Sequence, residues 1–92
     1  MHREVDWMKP ADAYILEFLA SCRYKGEPAR IKPASIALNV PYSANWVGQR
    51  CRSLAKHGLL NAADGGYWIS ELGEKFVAGD LGVNDLLALD EE

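Results

Sequence analysis

A mostly helical α+β fold follows from three stretches of this chain of 92 residues. Residues 43–57 form a proline-free run closed by Gly58, with apolar residues at helical spacing. A shorter helical segment opens at Pro33 and is separated from it by Asn39-Val40-Pro41-Tyr42. After the long run, Leu59-Leu60-Asn61-Ala62 and Gly66-Tyr67-Trp68-Ile69 flank Ala63-Asp64-Gly65, the pattern of a β-hairpin with a Gly-rich turn.

In chain order, residues 1–9 read as a short arm with Trp7 and Met8 as apolar anchors. Pro10 suits the first position of a helix over roughly 10–23. Lys9 is a poor cap, so Asp6 is an alternative start, while Asp12 in the first turn suits the helix dipole. Ile15, Phe18, Leu19 and Cys22 supply the i, i+3, i+4, i+7 stripe. Gly and Pro make residues 23–28 a loop, and Arg30-Ile31-Lys32 a brief strand with Ile31 pointing inward. A second helix spans 33–39 with Ile36 and Ala37 toward the core, and Pro41 marks the joint because it cannot sit inside a helix.

The third helix has Ser43 as N-cap and Lys56 and His57 in its last turn. In the hairpin, Tyr67 and Ile69 share a face and Trp68 points the other way. Leu72, Phe76 and Val77 give a last helix over about 70–79. The order helix, strand, helix, helix, hairpin, helix is that of a winged helix-turn-helix: a three-helix core, a β-hairpin wing and a C-terminal helix. It forms one domain over 1–92, with the arm 1–9 and an acidic, apolar tail 80–92.

Wound at about 100° per residue, the third helix places Val47, Cys51 and Leu54 on one face. Asn45, Gln49, Arg52 and Lys56 fall opposite, and Trp46, Arg50 and Ser53 at the borders. A helix entering a DNA major groove presents such a long, cationic, hydrogen-bonding face. An arginine can donate two hydrogen bonds to guanine, and an asparagine or glutamine can pair with adenine, each worth about 1–3 kcal/mol of discrimination. Arg50 and Arg52 fit the first role, Asn45 and Gln49 the second. Lys56 suits a phosphate or the helix C-terminal dipole, and Trp46 suits packing against helix two or Tyr42 ahead of stacking on DNA.

Charge is distributed unevenly. The net charge is −3, yet from Pro28 to Ala63 there is no Asp or Glu, and Arg30, Lys32, Arg50, Arg52 and Lys56 bring that segment to +5. Residues 1–27 carry −1 and residues 64–92 carry −7. This map fits one basic face on an acidic body. No apolar run reaches the length of a membrane span and the N-terminus has no signal-peptide core, so a cytoplasmic protein is expected.

Cys22 and Cys51 lie far apart without C-x-x-C or zinc spacing and read as reduced, buried thiols, not metal ligands. Neither His2 nor His57 stands at a motif spacing from a nucleophile, and Gly65-Gly66 lacks the strand–turn–helix context of a phosphate-binding loop. No catalytic residue, metal or cofactor is expected, and no small-molecule ligand is readable from the sequence.

The chain resembles the small haloarchaeal winged-helix proteins related to the repressor of halophage phi-H, within the MarR-like winged-helix regulators. The resemblance runs over roughly 7–83. It is carried by Trp7-Met8-Lys9-Pro10-Ala11-Asp12, Ile15-Leu16-Glu17-Phe18-Leu19, Ile36-Ala37-Leu38-Asn39-Val40, Tyr42-Ser43 through Val47, Arg50-Cys51-Arg52-Ser53-Leu54, Gly58-Leu59-Leu60, Gly66-Tyr67-Trp68-Ile69 and Leu72-Gly73. It implies transcription control through double-stranded DNA, with 43–57 as recognition helix and Ser43, Asn45, Gln49, Arg50 and Arg52 meeting the DNA. Trp46, Ser53 and Lys56 complete the candidate helix surface.

Two departures stand out. The wing tip and the strand after it have no Arg or Lys, whereas a wing ordinarily brings a cation to DNA. The loop 23–32 is longer than usual, and Arg23, Lys25, Arg30 and Lys32 offer backbone contacts in its place, with Arg30 and Lys32 nearest the second helix. The expected function is a sequence-specific repressor acting as a homodimer through the tail 81–89 and helix one. The alternative is a winged-helix protein-interaction module, favoured by the acidic pI near 5.3, the uncharged wing and the apolar tail. Scattering of the five cations around the body would favour that alternative.

Overall fold

The computed structural model describes residues 8–80. Helix α1 spans Pro10–Ser21. Lys9 offers no capping side chain, but its backbone N–H donates to Asp12 Oδ2 at 2.9 Å, so the acid in the first turn supplies the cap from within the helix. The helix stops two residues short of the expected end. Cys22, at its C-cap, is extended and only partly buried, in contrast to the buried thiol expected there. The stripe that reaches the core is Asp12, Ile15, Leu16 and Leu19, displaced from the expected one so that Phe18 is only partly buried. Both sets follow helical spacing, and packing against the third helix selects between them.

Residues 23–28 form a small antiparallel hairpin where a loop was expected. Strands β1, Arg23–Tyr24, and β2, Glu27–Pro28, pair as Arg23↔Pro28 and Tyr24↔Glu27. Positive φ at Lys25 and Gly26, 54° and 82°, is the signature of a tight two-residue turn. Arg23 pairs with Glu74, which ties the hairpin to the last helix.

Helix α2 covers Pro33–Ala37. It ends before the expected residue 39 because Leu38 and Asn39 close on Ser35 and Ile36 as a turn, and the Asn39 side chain donates to the Ser35 carbonyl at 3.0 Å. Helix α3, Ala44–Lys56, begins as its sequence dictates: the Ser43 hydroxyl accepts the Trp46 N–H at 3.2 Å. It ends in a Schellman motif. Gly58, at φ 83°, donates to the Ala55 carbonyl, and Leu59 donates to the Leu54 carbonyl at 2.9 Å. Leu54 and Leu59 are both fully buried there.

The wing is strands β3, Leu60–Ala63, and β4, Gly66–Ile69, in register Leu60↔Ile69 through Ala63↔Gly66. Its first strand starts one residue later than expected, since Leu59 belongs to the helix stop. Asp64 and Gly65 make the turn with φ 53° and 81°. Ile31 adds a bridge on the outer side of β4 through two 2.9 Å hydrogen bonds with Tyr67, so the linker before α2 is welded to the wing. Helix α4, Glu71–Val77, is shorter than the expected 70–79; Ser70 caps it by accepting the Gly73 N–H and donating to the Gly58 carbonyl at 2.6 Å.

Ile15, Leu16, Leu19, Ile36, Val47, Cys51, Leu54 and Ile69 make the centre of the core. At full burial each large aliphatic chain contributes about 1.5–3 kcal/mol. Val77 is partly exposed rather than packed. The helix-turn-helix, the hairpin wing and the C-terminal helix of the expected fold are all present. The arm anchor Trp7, the alternative cap Asp6 and the tail 81–89 lie outside the described residues.

Gly48 carries a prediction of its own. It is buried mid-helix in α3, and a Cβ there would meet only ordinary contacts, 3.7 Å from Arg52 Nη1 and 3.9 Å from Pro33 Cβ. Gly48→Ala therefore raises stability by about 0.5–1 kcal/mol, the intrinsic helix penalty of glycine. A urea melt with an unchanged m-value checks it.

Candidate nucleic-acid interface

The apolar face of α3 sets its rotation against the core. Val47, Cys51 and Leu54 are fully buried, and Asn45, Gln49, Arg52 and Lys56 form an exposed row on the opposite side. Ser43 is exposed at the head of that row. Arg30 and Lys32 are exposed in the linker that leads into α2.

Arg50, placed at the border of the helix and expected to meet DNA, turns away from the outer face. It is 9% exposed, and its guanidinium turns inward to Asp12 of α1, with Nε to Oδ1 and Nη2 to Oδ2 both at 2.8 Å. Asp12 is fully buried. The two parallel, charge-assisted hydrogen bonds satisfy both partners and hold Arg50 firmly protonated, its pKa raised chiefly by the Asp12 hydrogen bond. A residue so engaged cannot reach a base edge without abandoning a buried carboxylate. Its place is structural: it locks α3 to α1.

Ser53 is half-buried. Its hydroxyl faces Arg50 Nη2 at 3.4 Å and its carbonyl lies 2.8 Å from His57 Nδ1, so it too serves the helix interior. Trp46 is half-buried against the core, its ring 5.6 Å from the Arg50 guanidinium carbon, in accord with the favoured packing role. Two residues that matter at this surface have partners the sequence did not show. Asp12 was readable as an acid at the head of an apolar i, i+3, i+4 stripe. Trp68 faces away from the core with Arg30 over its ring, 4.6 Å to the centroid, a pairing no local pattern reveals.

Helices α2 and α3 approach closely at Gly48. Arg52 Nη1 and Pro33 Cβ both lie within 4 Å of the point a Gly48 side chain would occupy. Pro33 follows Lys32, and Ile31 is bridged to the wing beside Arg30. The linker that carries Arg30 and Lys32 thus joins the wing to the approach of α2 to α3 beside Gly48. With Arg50 neutralised by Asp12, the exposed charge of the segment 28–63 resides in Arg30, Lys32, Arg52 and Lys56.

Cys51, beneath this surface, is fully buried, and burial together with the Asp12 charge pushes its thiol from 9.0 up to about 12. A raised pKa means that the unfolded chain gives up this proton first. The stabilisation is complete below pH 9.0 and is lost progressively as pH rises toward about 12. In the native protein at pH 8, a thiol reagent is expected to modify the partly buried Cys22 and to reach Cys51 only after unfolding. Mass mapping of the labelled peptides checks this.

A family model described as winged helix-turn-helix phage repressor matches residues 1–89. The chain is 38% identical over 92 residues to a protein of Halobacterium phage phiH named "Repressor protein", an alignment covering 94% of this chain and 97% of that protein. No solved structure matches.

Proposed function

The chain belongs to the winged helix-turn-helix phage repressor family, and from that membership we infer that it is a DNA-binding transcriptional repressor, a regulator without catalytic chemistry. The observation that carries the reading is the exposed row Asn45, Gln49, Arg52 and Lys56 on a helix whose opposite face is locked into the core. Asn45, Gln49 and Arg52 read base edges in the major groove. Ser43, Lys56, Lys32 and Arg30 meet phosphates, which set register and orientation. Arg50, Trp46 and Ser53 act from behind by holding α3 at its angle. The exposed row on α3, with Arg52 and Lys56 beside Asn45 and Gln49, favours this reading over a protein-interaction module.

One recognition helix spans too few base pairs for a unique site, so the repressor acts as a homodimer on an inverted repeat. Its half-sites are about 34–36 Å apart, one duplex turn, and binding blocks the promoter. The setting is the cytoplasm, where the DNA is. No helix among the described residues is long and apolar enough to cross a membrane.

Selection of binding sites from a random duplex pool tests the reading. Wild type is expected to enrich a symmetric site. Arg52→Ala is expected to lose about 1–3 kcal/mol at that site and to relax one position of each half-site. Equal affinity and an unchanged consensus in Arg52→Ala would remove Arg52 from the interface.

A further inference from the structure

The wing lacks what wings use. Strands β3 and β4 carry no Arg or Lys, and the turn between them carries Asp64. On the repressor reading above, we propose that this wing takes its cation from outside itself: Arg30, held on the face of Trp68, is a DNA-backbone contact, and Trp68 is the residue that positions it.

Three observations carry the proposal. The guanidinium carbon of Arg30 sits 4.6 Å from the Trp68 ring centroid. The backbone beneath is fixed, because Ile31 is hydrogen-bonded twice to Tyr67 and the Arg30 Cβ lies 3.5 Å from the position a Gly66 side chain would take. Third, Arg30 is exposed, and among the described residues no carboxylate forms an ion pair with it.

Stacking uses only the face of a guanidinium. Its N–H donors point outward in the plane of the group and stay available to an anion. The stack removes much of the side-chain freedom that an isolated surface arginine would lose on binding. The ligand chemistry is a phosphodiester: a planar donor fork matches two phosphate oxygens. Lys32 and Pro33 connect Arg30 to the start of α2, where Pro33 comes close to Gly48 of α3. A helix in the major groove with Arg30 on the neighbouring backbone would grip the duplex at two separated points.

The test is a salt series of DNA affinity for the full chain, comparing wild type, Arg30→Gln, Trp68→Leu and Arg52→Ala, each first shown to melt as a folded domain. Arg30→Gln is expected to bind every duplex sequence about tenfold more weakly, the loss of one charge-assisted contact. It should also flatten the slope of log affinity against log salt by about one. Trp68→Leu keeps the charge but frees it, so affinity falls while the slope stays within a few tenths of wild type. Arg30→Gln carries the test alone if Trp68→Leu does not fold. Arg30→Gln with wild-type affinity and slope, in a protein that Arg52→Ala still impairs, overturns the wing contact and leaves the repressor reading intact. Absence of DNA binding by wild type overturns both.

Discussion

Arg50→Ala destabilises the domain by about 3–5 kcal/mol, the cost of stranding one member of a buried ion pair. Asp12 is fully buried and its carboxylate receives Nε and Nη2 of Arg50 at 2.8 Å. Without the guanidinium, that charge keeps only the Lys9 backbone N–H at 2.9 Å among its hydrogen bonds between described residues. A chain of this length has on the order of 5–14 kcal/mol of stability to lose, so the variant sits near the unfolding threshold. DNA binding would vanish with the fold, and an alanine scan read by binding alone would count Arg50 among the contacts. Denaturant melts separate the two. The double variant Asp12→Leu with Arg50→Met is expected to recover most of the lost stability, since apolar residues of similar volume often match a buried pair. It should also retain DNA affinity. A stable double variant that no longer binds DNA would return Arg50 to the interface.

Gly73→Ala is the second large effect. A Cβ at this position in α4 would lie 2.2 Å from the Leu59 carbonyl oxygen and 2.8 Å from Ile69 Cγ1. The nearer neighbour is backbone, pinned by the Leu59 N–H bond to Leu54 and by the Ser70 N–H donated to the Leu59 carbonyl. No side-chain rotation relieves the contact. Helix α4 has to lift off the α3 stop and the wing, taking Leu72 and Phe76 with it. The loss is expected to exceed about 3 kcal/mol, at the upper end for overpacking. That lowers Tm by roughly 12 °C or more for a domain of this size. A thermal melt followed by circular dichroism measures it, and a shift under about 3 °C would show that α4 sits less tightly than described. The contrast with Gly48→Ala is instructive: two helical glycines, one with room for a methyl group and one without.

Helix α3 was legible to within a residue because its signals are local: a hydroxyl cap at Ser43, no proline, a glycine stop at Gly58. The wing and the helix-turn-helix joint were legible for the same reason, through Asp64-Gly65 and Pro41. What escaped the sequence depends on partners far along the chain. Arg50 sits at a border angle on the helical wheel, where nothing local decides between groove and core; Asp12, 38 positions earlier, decides it. The first helix has two overlapping apolar stripes, and only its neighbours choose the one containing Asp12. Strands of two residues, as in β1 and β2, are too short to show alternation. The stack of Arg30 on Trp68 joins linker and wing across 38 positions and has no spacing rule to announce it.

On the repressor reading, the outer face of α3 meets DNA. Fluorescence anisotropy of a labelled random-sequence duplex, titrated with wild type and Arg52→Ala across a salt series, tests it most directly. Wild type is expected to bind at low salt and to weaken with a log–log slope near −0.9 per phosphate contact, about −2.7 per protomer if Lys56, Lys32 and Arg30 engage. Arg52→Ala should bind more weakly at every salt concentration. No binding by wild type at low salt, or curves for the two proteins that superimpose, would contradict it.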